Sequence, residues 1–157
     1  MKQSRQQGFT LIELVVVIVV LAILAAFALP RFMGLERNAR IASLAGVEGG
    51  LRSGAALAHS IWLTNGNTAA TTITVEGQTV EMAFGYPAAG NNGILRVLAP
   101  GTVQTGNGRY TFSANGAQSW FDLNGAPVTA TQFCRVIYIA PTNANPVPTI
   151  NQSSSGC

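Results

Sequence analysis

The order of apolar and polar residues divides the chain into three stretches. From Leu14 to Leu29 it reads LVVVIVVLAILAAFAL, 16 residues without a charge. Extended back to Phe9, the run covers 21 residues broken only by Thr10 and Glu13. About 20 mainly apolar residues suffice for a helix to cross a bilayer. From residue 31 to 62 the pattern changes to an amphipathic one. Leu44, Val47, Leu51, Ala55, Ala58 and Trp62 recur at steps of three and four, which predicts one apolar helix face. Arg31, Glu36, Arg37, Arg40, Glu48 and Arg52 supply polar positions. A single helix over about 9–62 is therefore expected, some 80 Å long at ~1.5 Å per residue. Pro30 lacks an N–H and clashes one turn back, so a kink is expected there.

Beyond residue 63 the texture is that of strands and turns. Thr71–Val75 and Gln78–Phe84 alternate around Glu76-Gly77, a two-residue hairpin signal. Arg109–Ala114 and Gln118–Leu123 flank Asn115-Gly116-Ala117, and Phe133–Ala140 is the most apolar late strand. Ile94–Leu98 is a short apolar element of undecided type. GYPAAGNNG reads as loop, and Pro141, Pro146 and Pro148 predict an irregular tail. The expectation is an α+β fold, a long helix on an antiparallel sheet of four or five strands.

Composition sharpens this picture. Of the 157 residues 48% are hydrophobic but only 10% charged, far below the ~25% of ordinary soluble domains. Much of the surface is then expected to face lipid or other copies of the chain. The net charge of +3 comes from scattered residues, with Lys2 the single lysine. No basic run exists, and no specific nucleic-acid partner is inferred. Lys2 and Arg5 precede the apolar stretch without an acid, which places the N-terminus in the cytoplasm. A secretory signal would explain the basic start, but the apolar run exceeds the usual ~7–15 residues and continues into a helix. Glu13 is the oddity: a carboxylate inside an apolar span is costly and usually has a partner or a function.

The stretch QGFTLIELVVVIVVLAILAAFALP resembles the N-terminus of a type IV prepilin, with Gly8, Phe9, Glu13 and Pro30 where that family has them. Gln7 stands where many prepilins carry Lys or Arg. PRFMGLERNARIASLAGV resembles, more loosely, the mannose-sensitive haemagglutinin pilins. The resemblance implies a leader of residues 1–8, a membrane and filament-core helix over 9–30, and a globular domain over 31–157. It implies cleavage between Gly8 and Phe9 by a prepilin peptidase and N-methylation of Phe9. Loss of Lys2 and Arg5 would lower the charge balance from +3 to +1. It implies an assembly role for Glu13 and Pro30; the Glu13 carboxylate would pair with the Phe9 amine of a neighbouring subunit. A wrong axial register would leave that buried charge unpaired.

The implied partners are other pilin subunits, the peptidase, an inner-membrane assembly platform with its ATPase, and membrane lipid before assembly. The implied location is the bacterial inner membrane and then an extracellular pilus serving adhesion and related functions. The family alternative is a pseudopilin of a type II secretion system, whose major members use a calcium-binding C-terminal loop. A remoter one is a membrane-anchored binding module or enzyme. Exported chains meet an oxidising periplasm where two thiols usually pair, so Cys134 and Cys157 are expected to be joined, as in the disulfide-bounded loop of type IV pilins. The alternative is two free thiols.

The remaining signals are weaker. Gly34, Asn38, Ala42, Gly46, Gly50, Gly54 and Ala58 recur every four residues. Such spacing allows close approach of a neighbouring helix, or equally of the chain's own sheet. His59 is the single histidine, and a structural role is expected for it. Asn151-Gln152-Ser153 matches a glycosylation sequon, with a solvated tail as the simpler reading. No nucleophile elbow, Walker loop or Cys-His cluster is found, so no catalytic residue, metal or cofactor is assigned and the chain is not expected to be an enzyme.

Overall fold

The computed structural model describes residues 9–66, 69–98, 108–127 and 129–157, with the side chains of 29–33 outside that description. One helix, α1, spans Leu11–Thr64. The chain divides into two compact units, Met1–Asn38 and Ala39–Cys157. Within the first, Leu11–Ala28 is apolar except for Glu13 and none of it is buried. Position 30 is helical, and the kink expected at Pro30 falls on side chains outside the described set.

The second unit holds the rest of α1 and seven strands. These are β1 (Thr72–Val75), β2 (Gln78–Ala83), β3 (Tyr86–Pro87), β4 (Tyr110–Asn115), β5 (Gln118–Leu123), β6 (Arg135–Ile139) and β7 (Thr149–Ser153). They form two antiparallel meanders, β1-β2-β3 and β4-β5-β6-β7. Two sheets replace the single one expected, because no strand of the first meander pairs with one of the second; two short strands also escape the alternation rule. Tyr86–Pro87 pairs with Met82 and Ala83 inside a segment that reads as loop. Thr149–Ser153 pairs with β6 where an irregular tail is expected, and Ile150 is its one buried apolar residue. The prolines shape the connection at 141–148 and not the strand beyond it. The undecided segment is a 3-10 turn, Ile94–Val97.

Both hairpins read from sequence are present in register. Val75 pairs Gln78 across Glu76-Gly77, whose φ values of 49° and 78° make a type I′ turn. Asn115 pairs Gln118 across Gly116-Ala117, with Gly116 at φ 60°.

The predicted apolar helix face organises two cores. Leu44, Val47, Leu51 and Ala55 join Phe112, Phe121, Val136, Tyr138 and Ile150 of the four-stranded sheet, with Ile94 and Leu98 in the same cluster. One turn further on, Ala58 joins Ile73, Val75, Val80 and Met82 of the three-stranded sheet, with Ile61 and Trp62 packed alongside. Polar bonds pin the helix between these contacts. Arg52 Nη2 donates to the Ile150 carbonyl at 2.8 Å, and Trp62 Nε1 to that of Ala70 at 3.1 Å. His59 Nδ1 sits 2.7 Å from the Gly85 carbonyl, which sets the proton on Nδ1. Its ring lies flat on Tyr86, centroids 4.0 Å apart. The histidine is thus a packing and hydrogen-bonding residue.

Cys134 and Cys157 form a disulfide, Cα atoms 4.9 Å apart and both residues buried. A loop of this length stabilises by about 3 kcal/mol on the chain-entropy account. Gly156 is the residue that lets the tail close: a Cβ there would meet the Gln132 carbonyl oxygen at 2.7 Å, while its N–H bonds the Phe133 carbonyl.

The small-residue row on α1 divides. A Cβ on Gly54 would lie 2.8 Å from the Val97 carbonyl oxygen, and one on Gly50 3.2 Å from Leu98 Cδ2. Those two positions serve the subunit's own packing. Gly34, Gly46 and Gly49 have nothing within 4 Å. Gly54→Ala is therefore expected to destabilise the subunit by about 1–3 kcal/mol, since a backbone oxygen cannot yield as a side chain can. Gly46→Ala should stabilise it by up to ~1 kcal/mol through helix propensity. Thermal unfolding of the detergent-solubilised chain measures both.

Tyr138 joins the two sheets: its hydroxyl donates to the Pro87 carbonyl at 2.6 Å, with both residues fully buried. Burial, and secondarily Tyr86, push its phenol well above the ordinary value. Tyr138→Phe leaves the Pro87 oxygen unpaired and is expected to cost about 1–3 kcal/mol at neutral pH. In the wild type this site's contribution is complete below pH ~10, where an unfolded tyrosine is still protonated. It falls as pH rises further, because the unfolded chain ionises first. Melting temperature from pH 7 to 11 should show that part of the alkaline loss only with tyrosine present.

Candidate assembly site at the start of the helix

The start of α1 is built by its own sequence. Thr10 immediately precedes the first helical residue and Glu13 stands three residues later. The Thr10 N–H donates to Glu13 Oε2 at 2.8 Å, and the Thr10 hydroxyl donates to the same oxygen at 2.7 Å. In return the Glu13 N–H points at Thr10 Oγ1 at 3.4 Å. This is a capping box, which satisfies two backbone donors that a helix start otherwise leaves open. The carboxylate also lies where the helix dipole favours negative charge.

Among the described residues, the neighbours of this polar start are apolar and uncovered. Phe9 is 93% exposed, and Leu11, Ile12 and Leu14 are each more than half exposed. The described helix over Leu11–Ala28 is long and apolar enough to cross a membrane. All three of the bonds between Thr10 and the carboxylate side of Glu13 use Oε2 or the backbone, and none uses Oε1. One carboxylate oxygen therefore closes the cap while the other is left for a further donor.

Of the site residues expected from sequence, Phe9 and Glu13 lie at this helix start, and Cys134 and Cys157 are joined elsewhere in the fold. Gly8 lies outside the described residues, as does the Pro30 side chain. Thr10 was not among the expected site residues. The signal is present in Thr-Leu-Ile-Glu, a T-x-x-E spacing immediately before an apolar run. Among the described residues, no three of His, Cys, Asp and Glu gather as metal ligands.

Comparison with known proteins agrees with this geometry. Residues 3–29 match the family described as the prokaryotic N-terminal methylation motif. The chain is 31% identical to the fimbrial protein EcpC of Eikenella corrodens over 105 residues, 65% of this chain and 68% of that protein. It is 30% identical to the type IV narrow pilus major component PilA5 of Thermus thermophilus over 128 residues, 81% of this chain and 94% of that one. No solved structure gives a significant match. With a lone capped carboxylate opening an uncovered apolar helix, and relatives of this kind aligned over most of their length, the chain belongs to the type IV pilin family, a family of structural proteins.

The capping box gives a direct test. Thr10→Ala removes one half of it and should speed amide exchange at Ile12 and Glu13 by about five-fold, the factor expected for a lost N-cap. Thr10→Ser should restore protection. Exchange measured by NMR in micelles decides, and equal rates in all three chains would mean that the cap does not hold in lipid surroundings.

Proposed function

We propose that this chain is the structural subunit of a type IV pilus, anchored in the membrane by Leu11–Ala28 before it polymerises. The observation that carries the reading is the uncovered helix itself. An 18-residue apolar face with no internal partner must be covered by lipid or by like helices. A polymer of subunits supplies the second cover without any change in fold. Two relatives are named as fimbrial or pilus components, which supports the same assignment here. The buried Cys134–Cys157 bond closes the C-terminal loop covalently, which favours the pilus over the secretion-system pseudopilin.

The local chemistry suggests how joining proceeds. Cleavage between Gly8 and Phe9 by a prepilin peptidase leaves an amine on Phe9, which N-methylation retains as a cation. That amine approaches the uncommitted Oε1 of Glu13 on a neighbouring subunit, while Oε2 keeps the helix start closed. An amine that stops one turn away leaves two charges unpaired in apolar surroundings, so the pair selects axial register. The orientation in the inner membrane, the assembly platform and its ATPase are part of this proposal, as is service in adhesion.

Mass spectrometry of sheared filaments should show a chain beginning at Phe9, about 14 Da heavier than calculated if one methyl is added. Glu13→Ala should still be cleaved and inserted, but its filament yield when expressed alone should collapse. Abundant filaments built only from Glu13→Ala, or from intact Met1–Cys157 chains, would overturn the mechanism.

A further inference from the structure

Five Asn-Gly pairs occur along the chain, at 65–66, 92–93, 107–108, 115–116 and 124–125. Such a pair is chemically weak. The Gly nitrogen can attack the carbonyl carbon of the Asn side chain and close a five-membered ring, because Gly has no Cβ to obstruct the approach. In a folded chain two conditions must hold. The Asn amide must be free to swing over the backbone. The Gly N–H must not be held by another acceptor, since it gives up its proton as it attacks.

The fold withholds one or both conditions from three of the pairs. Asn124 is tied at both ends: its Oδ1 accepts from the Thr111 hydroxyl at 2.7 Å and its Nδ2 donates to the Gly108 carbonyl at 2.6 Å. Asn92 Nδ2 donates to Glu81 Oε1 at 3.2 Å, and the N–H of the buried Gly93 donates to the Gly90 carbonyl at 3.3 Å. The Gly66 N–H donates to the Leu63 carbonyl at 3.2 Å. Asn107 lies outside the described residues. Asn115 ends β4 at the tip of its hairpin with β5, and both it and Gly116 are exposed. Among the described residues, no hydrogen bond engages the Asn115 side chain or the Gly116 N–H.

We propose that Asn115 is a modification site built into the fold, at which the native chain converts by ring closure and hydrolysis to aspartate or isoaspartate. The Gly116 nitrogen loses its proton to hydroxide and bonds to Asn115 Cγ. The Cγ–Nδ2 bond breaks, and ammonia leaves with a proton taken back from water. One water then opens the ring at either carbonyl, with no change of oxidation state. Each event turns a neutral amide into a carboxylate, which lowers the charge balance by one in a chain with 6 acids. Opening at the main-chain carbonyl leaves Gly116 attached through Cγ. That lengthens the backbone by one carbon and disturbs the Asn115–Gln118 pair. Neither residue belongs to the two cores, so the subunit keeps its fold while its surface charge changes. The inference follows from the hairpin alone and does not rest on the pilus reading.

The test incubates the detergent-solubilised full chain at mildly alkaline pH and follows each site by peptide mass. Conversion adds about 1 Da, and fragment ions separate position 115 from position 124. Asn115 should convert first, with Asn65, Asn92 and Asn124 at least about five-fold slower, the factor for one hydrogen bond that must break beforehand. In urea-unfolded chain that advantage should disappear. On isoelectric focusing the wild type should gain an acidic band that Asn115→Gln fails to form at the same rate, because the longer side chain closes a less favourable ring. Equal rates at Asn115 and any of the three tethered sites in the folded chain, or no conversion at Asn115, would overturn the proposal. An advantage that persists in urea would assign it to local sequence and overturn it equally; the pilus reading stands in each case.

Discussion

A single helix that must satisfy two different solvents is the constraint on which the rest of the structure depends. Over Leu11–Ala28 every side chain is apolar except Glu13, and none is buried. Beyond Ala39 the same element turns one face, from Leu44 to Ala58, into the cores of two sheets. The first half has no protein cover of its own, so its partner has to come from outside the subunit. One face of the second half is covered within it. A chain that is 48% hydrophobic and 10% charged follows from this division.

Several polar groups on the helix have a specific geometric duty. Thr10 and Glu13 close its start. Arg52, His59 and Trp62 reach backbone carbonyls of the strand-bearing part, so the helix is fixed both by packing and by direction-sensitive bonds. The glycines at 50 and 54 let the 97–98 segment approach the helix backbone, whereas those at 46 and 49 leave it bare. A row that looks uniform in sequence therefore holds two kinds of position.

The C-terminal half of the chain builds rigidity from closure. β6 is flanked by β5 and β7, Tyr138 on β6 bonds across to Pro87 of the other sheet, and Cys134 just before it is tied to Cys157. The buried Ser119 hydroxyl oxygen accepts a further bond from the Gly90 N–H at 3.0 Å. These contacts link the two sheets and the tail without a large number of charges, in keeping with a surface poor in them.

How much of this was legible beforehand depended on the range of the interaction responsible. The span of α1, its apolar stripe, the Glu76-Gly77 and Gly116 turns and the strands β1, β2, β4, β5 and β6 follow from periodicities and turn chemistry that act within a few residues. The capping box was equally local, in Thr10 and Glu13, and needed only to be read as one. β3 was hidden because two residues carry no alternation, and β7 because Ile150 is the one apolar residue in TINQS. Each is a strand because a neighbouring edge supplies its hydrogen-bond partners. The same holds for the division of the glycine row, which depends on where residues 97–98 come to rest. It holds for the Asn-Gly pairs too, which are alike in sequence and differ in the hydrogen bonds that hold them. Short-range pattern thus determined the elements and the helix-start chemistry. Only the tertiary structure decided which edges pair, which glycines are covered and which asparagines are tethered, because those outcomes are set by residues distant in the chain.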